Sequence, residues 1–327
     1  MHLDPFELHR PRSVEEAAAL AAEHAGRCDY LAGGTDLLPN YKMHINLRAH
    51  LIALEDVREL RGRTTDRIGA MERLADLDGD PALRGTYPVL ADAVGEVATP
   101  LVRASGTVGG NLMVETRCFF FNQSYFWRES LGFCLKADGD RCHVVPQKER
   151  CYATFSGDLA PALMVLGAEV EVAGTEGRRR FPVADLYDAE GDGIHRVRLA
   201  PGELLVAVHF PSDAAGERGR YRKLRVRPSF DFPELGVAVA GRFDGDRVET
   251  LRIAVGGVET RPRGFDALTQ PLRGGPLTDE AIRTLAATIE RSVRPVHNTF
   301  LLPDYRRRMV SVYVRRALTD VRDGRAA

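Results

Sequence analysis

The hydrophobic and polar positions of the first sixty residues predict a strand, a helix and further strands. The segment FELHRP is extended, and Ser13 caps a helix, with Glu16 three residues later completing a capping box. The segment CDYLAGGTDLL predicts a short strand that runs into a glycine pair, and HLIALEDV predicts another strand. Together these elements predict a β-α-β unit that closes near residue 60.

Helical spacing returns near residues 83–97, where apolar residues form one stripe. The stripe ends in ATPLVRASGTVGGNL, whose Gly, Thr and Pro content predicts a loop or turn. Farther on, SGDLAPALMVLGAEVEVAG predicts a capped helix that stops at Gly167 and is followed by an alternating strand. The segment PGELLVAVHFP predicts one more strand.

A small polar segment at residues 212–220 predicts a domain boundary. Beyond it, ELGVAVAGRF and TLRIAVGGVE predict strands. Two helices follow, one that starts at Thr278 and one from about Pro303 to Val321. The pattern is that of an α+β protein. We expect three parts, which comprise residues 1–60, 61–215 and 216–327.

Charge and composition narrow the function classes. Lys and Arg (45) nearly equal Asp and Glu (46), so nucleic acid is a poor expectation as a partner. No run of about 18 apolar residues predicts a membrane span, and the first residues lack the basic start and apolar run of a signal peptide. We therefore expect a cytoplasmic protein with reduced thiols, in which disulfides are a weak explanation for the cysteines.

Two glycine pairs are candidate anion sites, AGGTD at residues 32–36 and GTVGGN at residues 106–111. Neither has the glycine spacing of a Rossmann site or of a P-loop. Glycines let successive backbone N–H groups converge on one point, and such a nest binds an anion, typically a phosphate. A plain turn explains either pair taken alone. Taken together, the two pairs predict two walls that hold a pyrophosphate.

Five segments carry a resemblance to a known family. They are, in chain order, LAGGTDLL, VRASGTVGGN, SGDLAPALMVLGAEV, YRKLRVRPSFDFPELGVAVA and YRRRMVSVYVRRAL. In them the chain resembles the FAD-binding medium subunit of the molybdenum hydroxylases, the family of xanthine dehydrogenase and carbon monoxide dehydrogenase. The resemblance covers nearly the whole chain except about residues 115–155. It implies two FAD-binding subdomains of the vanillyl-alcohol-oxidase (PCMH) type and a small α+β C-terminal domain of the CO dehydrogenase flavoprotein type.

The resemblance also implies which residues hold FAD. Residues 31–36 would wrap the phosphates, and residues 107–111 would form the second wall, with the Thr107 hydroxyl and the Asn111 amide as extra donors. Lys223 would lie near the flavin ring and stabilise a reduced, anionic flavin, although a surface lysine is the alternative. Asp158 would meet the adenosine half. The complete implied set is Leu31, Ala32, Gly33, Gly34, Thr35, Asp36, Val97, Thr107, Val108, Gly109, Gly110, Asn111, Asp158, Leu205 and Lys223.

Four of the five cysteines fall within residues 118–151, in the spacing C-x15-C-x7-C-x8-C. Four thiolates suit a tetrahedral zinc or a 4Fe–4S cluster, and unligated core cysteines are a third explanation. Nearby aromatic residues can exclude water, and the position beside the flavin suits a redox centre, so both features favour the cluster. The candidate ligands are Cys118, Cys134, Cys142 and Cys151. The aromatic residues are Phe119, Phe120, Phe121, Tyr125, Phe126, Trp127 and Phe133.

Within the family, an insertion with this cysteine spacing resembles the β subunit of 4-hydroxybenzoyl-CoA reductase, which carries an additional 4Fe–4S cluster. This resemblance implies an electron-transfer subunit with no substrate chemistry of its own. Electrons from reduced ferredoxin would pass through the cluster and FAD to 2Fe–2S clusters on a small subunit. They would end at a molybdenum cofactor on a large subunit, in a dimer of heterotrimers, for reductive dehydroxylation to benzoyl-CoA.

Two other functions stay open. One is the FAD subunit of a different molybdenum hydroxylase, which passes electrons outward to NAD or a quinone and holds a structural zinc on its cysteine loop. The other is a scaffold without redox function.

Overall fold

The computed structural model describes residues 3–325, and within that range the strands form three sheets. The first part contains β1 (Glu7–His9), α1 (Val14–Glu23), β2 (Cys28–Leu31), α2 (Leu37–Lys42) and β3 (His50–Ala53). Its strands are parallel in the order β1–β3–β2, which confirms the predicted β-α-β unit. The Ser13 hydroxyl caps α1 by accepting a hydrogen bond from the Glu16 N–H at 3.1 Å.

The second part combines an antiparallel sheet with short helices. Its strands are β4 (Arg67–Gly69), β5 (Glu169–Gly174), β6 (Gly177–Pro182) and β7 (Leu204–His209), in the order β4–β7–β5–β6. Its helices are α3 (Leu74–Leu77), α4 (Pro81–Thr86), α5 (Pro88–Gly95), α6 (Pro100–Arg103), α7 (Val108–Leu112), α8 (Tyr125–Ser130) and α9 (Leu159–Val165). Apolar side chains of α5, α9 and β7 share one buried core.

The single helix expected near residues 83–97 is instead two helices, α4 and α5, that meet at Tyr87. Pro88 causes the break, because a proline ring disfavours helical backbone at the residue before it. Tyr87 accordingly has φ −134° and ψ 69°. Pro88 then occupies the first turn of α5, where no backbone donor is needed. The predicted stripe keeps its role, since Leu83 and Val89 are both buried in the core.

The third part is a four-stranded antiparallel sheet covered by two long helices. Its strands are β8 (Arg218–Leu224), β9 (Leu235–Asp244), β10 (Arg247–Gly256) and β11 (Arg263–Gly264), in the order β11–β10–β9–β8. Its helices are α10 (Asp266–Thr269), α11 (Asp279–Ser292) and α12 (Pro303–Arg322). Both long helices were predicted from the sequence, and Thr278 caps α11 by accepting from the Ala281 N–H at 3.1 Å.

Both faces of this third sheet are buried. Val237 and Val239 pack with α11 and α12, whereas Ala238 and Ala240, on the opposite face, belong to the core of the second part. β8 begins inside the polar segment 212–220 that predicts the boundary. The second and third parts therefore share one packed core, which supports the residues predicted to hold FAD.

The two ends of the cysteine segment lie side by side where the segment joins the second part. Arg117 and Thr154 exchange two backbone hydrogen bonds of 2.7 Å, which close residues 118–153 into one loop. The third part holds this loop, because the Asn298 side chain donates to the Thr154 hydroxyl at 2.7 Å and the Phe119 N–H donates to the Asn298 carbonyl at 3.0 Å. Among the helices of residues 3–325, none has the length and apolar character required to cross a bilayer.

Candidate functional site

A cleft of about 390 Å³ lies where the loop after β2 meets the second part. This volume falls within the range of roughly 300–1,000 Å³ that is usual for small-molecule and cofactor sites. Most of the residues predicted to hold FAD line the cleft, namely Ala32, Gly33, Gly34, Thr35, Asp36, Val97, Thr107, Gly109, Gly110, Asn111 and Leu205. Leu31 and Val108 do not line it, since Leu31 pairs with Ala53 in the sheet and Val108 is buried in the core.

The first glycine pair fits against the second loop through backbone contact. A Cβ atom on Gly33 would overlap the carbonyl oxygen of Ser105, so the two loops can approach only if this residue has no side chain. Gly34 has φ +71°, in the left-handed region that favours glycine. The two glycines therefore set the position of Thr35 and of the first turn of α2 against the cleft.

The second glycine pair forms the first turn of α7. The Thr107 hydroxyl accepts a hydrogen bond from the Gly110 N–H at 3.1 Å, and its own proton stays available to donate. A Cβ atom on Gly109 would lie 2.9 Å from the Cβ of Ala70, so this turn is also held close to the sheet. The Asn111 side chain accepts from the Leu159 N–H at 3.0 Å, which leaves its amide N–H₂ group free to donate elsewhere.

The cleft contains unsatisfied polar groups that suit a polar ligand. The side-chain oxygen of Asn40 is buried in its lining and accepts no hydrogen bond from residues 3–325. Buried polar atoms of this kind are rare unless a bound group or water pairs with them. Arg48 also lines the cleft, as does Arg196, which is paired with Glu115 at 3.0 Å, and the carboxylates of Asp29, Asp36 and Glu203 line it too. The donors in the lining that suit a phosphate are therefore the Thr107 hydroxyl, the Asn111 amide and the Arg48 guanidinium.

Asp158 and Lys223 are absent from the cleft lining of the described residues and contact each other instead. The Lys223 ammonium lies 3.0 Å from the Asp158 carboxylate, which also accepts from the Tyr221 hydroxyl at 2.8 Å. The Lys223 side chain is fully buried, so it is not the surface lysine considered as the alternative. Burial raises the pKa of the Asp158 carboxyl, against the opposing effect of Lys223.

Lys223 still touches the cleft indirectly, through the turn that lines it. Its ammonium donates to the carbonyl of Glu96 at 2.9 Å, and Glu96 precedes two lining residues, Val97 and Ala98. Ala98 has φ +43°, a conformation that costs a non-glycine residue roughly 1–2 kcal/mol. Arg225 donates to the same carbonyl at 3.2 Å. Lys223 therefore holds a strained turn in place behind the cleft wall.

The four clustered cysteines line one small cavity of about 20 Å³. All four are buried and unbonded to one another. Burial raises the pKa of the Cys118 thiol to about 11 and that of Cys151 to about 12, so a bound cation is needed to keep these groups as thiolates near neutral pH. The remaining lining is largely apolar and is formed by Phe120, Phe121, Leu135, Lys136, His143, Val144 and Ala153.

Tight turns present the cysteines to this cavity. The carbonyl of Cys134 accepts from the N–H groups of Ala137 and Gly139 at 2.8 and 3.0 Å, and Phe133 and Asp138 beside this turn have φ near +60°. The Cys151 sulfur accepts a hydrogen bond from the Ala153 N–H at 3.4 Å. Hydrogen bonds of this type to a ligating sulfur stabilise the anionic form and tune a metal centre.

Four buried cysteines around one cavity can hold either of two metal groups. A tetrahedral zinc binds all four sulfurs to one ion, with Zn–S bonds of about 2.3 Å. A 4Fe–4S cluster binds each sulfur to a different iron. The ligand count fits both groups.

Comparison with known proteins identifies the family of the domains that contain these two sites. Residues 4–213 match the family described as FAD binding domain in molybdopterin dehydrogenase, and residues 220–321 match the CO dehydrogenase flavoprotein C-terminal domain. The chain belongs to this family. It is therefore an FAD-binding medium subunit of a multi-subunit oxidoreductase of the molybdenum hydroxylase type, and the predicted fold is confirmed.

Individual relatives of this flavin-binding subunit span its whole length. The aldehyde oxidoreductase FAD-binding subunit of Escherichia coli is 35% identical, over 90% of this chain and 93% of the relative. The carbon monoxide dehydrogenase medium chain of Afipia carboxidovorans is 29% identical, over 96% and 95%. The solved carbon monoxide dehydrogenase from Hydrogenophaga pseudoflava superposes with a TM-score of 0.79 and 28% identity, over 100% of both chains.

In this flavin-binding subunit, the cysteine cavity and the cleft share a wall. Ile45 lines the cleft and also packs in the apolar cluster around the cysteines. Lys136 lines the cavity and its ammonium lies 2.7 Å from the carboxylate of Glu115, which lines the cleft. Arg196, also in the cleft, approaches the same carboxylate at 3.0 Å. One partly buried ion-pair network thus connects the two sites.

The aromatic residues of the insertion divide into two groups. Phe120 and Phe121 line the cysteine cavity, as the sequence predicts for residues that exclude water. Phe126, in contrast, is 78% exposed, and Tyr125 is also exposed, so neither shields the cavity. Phe119 packs edge-to-face on Phe300 of the third part, with ring centroids 5.3 Å apart. Trp127 and Phe133 are half-buried and pack on Phe120 and Tyr125 of the same insertion. Direct shielding of the cavity is therefore local to residues 120–121.

Several residues of the two sites were not predicted from the sequence. Asn40, Arg48 and Arg196 lie outside the glycine pairs, and nothing in their local pattern separates them from surface polar residues. Glu115 and Lys136 had a weak signal, since one precedes Cys118 by three residues and the other follows Cys134 by two. Charged residues this close to candidate metal ligands merit attention because they can tune a metal centre.

Proposed function

We propose that this chain is an electron-transfer subunit that carries FAD in the cleft and a 4Fe–4S cluster on Cys118, Cys134, Cys142 and Cys151. The observation that carries the proposal is the set of four buried cysteines around one cavity that shares a wall with the cleft. The aromatic side chains of Phe120 and Phe121 line this cavity and support a cluster over the structural zinc of the alternative function, because exclusion of water tunes a redox centre. Bound together, the two groups supply one-electron and two-electron transfer to the complex.

The roles of the chain's own residues follow from the geometry. The N–H groups after Gly33 and at the start of α7 would bind the pyrophosphate, and Thr107 and Asn111 would donate to it as well. Lys136 would place a buried positive charge beside the cluster, which favours its reduced form. Asp158 and Lys223 would act by holding the 96–98 turn, rather than by touching the adenosine or the flavin ring.

The partners proposed for this subunit are those implied by the sequence resemblance. A small subunit with 2Fe–2S clusters and a large subunit with the molybdenum cofactor would complete a heterotrimer, two copies of which would form a dimer. The matches to carbon monoxide dehydrogenase medium chains support a subunit of such a complex. Substrate chemistry would take place on the large subunit, and the chain described here would carry electrons.

Two substrates are candidates for the complex. The relative with 35% identity is an aldehyde oxidoreductase subunit, which favours oxidation of an aldehyde and water to a carboxylate, with two electrons passed outward. The cysteine spacing instead favours 4-hydroxybenzoyl-CoA reductase, in which two electrons from reduced ferredoxin and two protons convert the substrate to benzoyl-CoA and water. The aldehyde is the better supported substrate, because the relative that is 35% identical over 90% of this chain is a subunit of an aldehyde oxidoreductase.

Metal, acid-labile sulfide and flavin analysis of anaerobically purified protein tests the cofactor proposal. We expect four iron and four sulfide per FAD, as a 4Fe–4S cluster requires. A Cys142→Ser variant should lose iron and sulfide, whereas Cys28→Ser, outside the cluster, should keep both. One zinc per chain without sulfide would overturn the cluster. Assays of the purified complex with an aldehyde and a dye acceptor, and with 4-hydroxybenzoyl-CoA and a low-potential donor, separate the two substrates.

A further inference from the structure

Three histidines of the first part lie close together, and none of the three lines the cleft or the cysteine cavity. Ring nitrogens of His9, His24 and His50 all lie within 4.8 Å of one another, and the three residues are half-buried. The Nε2 atom of His9 is 3.2 Å from the Nδ1 atom of His50. Two imidazoles bound to one tetrahedral zinc, with Zn–N bonds of about 2.0–2.1 Å, have nitrogens roughly 3.3 Å apart.

The fold places these rings together for identifiable reasons. β1 and β3 pair in parallel with Glu7 opposite His50 and His9 opposite Ile52, so His9 and His50 point to the same face of the sheet as the buried Ile52. α1 packs on that face, and His24 is the residue that ends it. Three separate elements therefore each contribute one imidazole.

Three further observations indicate that a cation belongs among the rings. The Nδ1 atom of His24 is buried and has no hydrogen-bond partner among the residues that the structure describes. The carboxylate of Glu7 lies 3.3 Å from the Nδ1 atom of His50 and offers a fourth, negatively charged ligand. The carboxyl end of α1, where His24 sits, also carries partial negative charge that favours a cation.

We propose that His9, His24 and His50, with Glu7 as the fourth ligand, form a binding site for a divalent transition-metal cation of the zinc class. Three imidazoles and one carboxylate suit Zn²⁺, Ni²⁺ or Cu²⁺ and do not suit Mg²⁺ or Ca²⁺, which require oxygen ligands. The rings of His24 and His50 are stacked, with centroids 3.8 Å and planes 13° apart. One of them turns about its Cβ–Cγ bond when the ion binds, so that both lone pairs converge.

The proposed ion would stabilise the subdomain that carries the first glycine loop. It would link β1, β3 and the end of α1, and β3 pairs directly with β2, from which residues 32–36 continue into the cleft. This is a structural role, and it is independent of whether the cysteines bind a cluster or whether the cleft binds FAD. Its loss should lower the melting temperature without changing the iron or sulfide content.

The test is zinc binding to the full-length protein with its native cofactors, after chelator treatment and equilibrium dialysis against Zn²⁺. We expect one zinc per chain that is absent from His24→Ala and His50→Ala, weakened about tenfold in Glu7→Gln, and retained in His195→Ala, an exposed histidine elsewhere on the chain. Equal zinc content in the wild type and in the His24→Ala and His50→Ala variants, or no zinc binding at all, would overturn the site.

A second measurement covers the case in which those variants do not fold. Wild-type protein is treated with diethylpyrocarbonate, which modifies neutral imidazoles, with and without Zn²⁺, and the modified positions are identified by peptide mass spectrometry. Zinc should protect His9, His24 and His50 and leave His195 unprotected. Equal modification of the three clustered histidines with and without zinc would exclude the proposed site.

Discussion

The ammonium group of Lys136, which is buried, and the carboxylate of Glu115, which is half-buried, form an ion pair 2.7 Å apart that joins two different sites. Lys136 faces the cysteine cavity and lies 4.8 Å from the centre of the Phe121 ring, whereas Glu115 faces the cleft. The Lys136 side chain is only 3% exposed and also donates to the Gly193 carbonyl at 2.8 Å. A charge placed in this way affects whichever redox group each site holds.

Replacing Lys136 by Met should lower the reduction potential of the group bound by the cysteines. The change removes a buried positive charge that favours added electrons, and we expect a decrease on the order of tens of millivolts. A redox titration followed by electron paramagnetic resonance measures it. Lys148→Met removes an exposed lysine of the same insertion and should leave the potential unchanged. An equal shift in both variants would mean that the position of Lys136 is irrelevant.

Glu115 should make the protein sensitive to acid in a defined window. Lys136 and Arg196 lower the pKa of this carboxyl from about 4.5 to about 2, against the opposing effect of burial. Because the folded-state pKa is depressed, the stabilisation is present above pH 4.5 and is lost as the pH falls from 4.5 to about 2. The shift corresponds to about 3 kcal/mol.

The Glu115→Gln variant checks this window. It should be less stable than the wild type at neutral pH, and the difference in unfolding free energy should shrink as the pH falls from 4.5 toward 2, because the wild-type carboxyl then becomes protonated. Denaturant unfolding at several pH values measures it, with Glu149→Gln, exposed in the same insertion, as the control. A constant difference across this range would contradict the assigned pKa.

Gly33→Ala should greatly reduce FAD binding. The new Cβ atom would overlap the carbonyl oxygen of Ser105, so the two loops must move apart and the cleft loses its shape. We expect at least a tenfold weaker affinity, measured by flavin retention after gel filtration and by titration of the apoprotein with FAD. Gly85→Ala is the matched control, because no atom lies within 4 Å of its Cβ position in α4. Normal FAD binding by Gly33→Ala would remove this loop from the site.

Lys223→Met should destabilise the protein more than it disturbs the flavin. The substitution leaves the Asp158 carboxylate buried without its cation, and breaking a buried pair in this way costs about 3–5 kcal/mol. The double variant Lys223→Met/Asp158→Asn should recover part of that loss. Urea unfolding measures the stability, and a redox titration measures the flavin potential. A shifted flavin potential with unchanged stability would instead support direct contact between Lys223 and the flavin ring.

Features that depend on neighbours in sequence were predicted well. Ser13 and Thr278 are caps whose partners lie three residues away, so the starts of α1 and α11 followed from the sequence. The expected helix at 83–97 missed the effect of Pro88, although that signal is also local. The two glycine pairs were noticed for their backbone freedom, which only Gly34 uses, with its φ of +71°. The contact of Gly33 with Ser105 that requires the glycine is tertiary and had no signal.

Features that depend on packing could not be predicted. Asp158 and Lys223 are 65 positions apart, and they pair only because β8 packs against α5, which in turn packs against α9. The cysteines were recognised as a set from their clustering, but their arrangement around one cavity depends on turns such as the one at Cys134. The histidine cluster likewise required the register of β1 and β3, which the sequence does not reveal.

The wall shared by the cysteine cavity and the cleft has a consequence for how the subunit matures. Ile45 and the Lys136–Glu115 pair contact both sites, so a group bound in one site would restrict residues that the other site also uses. Binding at the two sites would then be cooperative, and by linkage each group would strengthen the binding of the other equally. With the 4Fe–4S cluster and FAD that we propose, a cell short of iron would accumulate chains that also release their flavin.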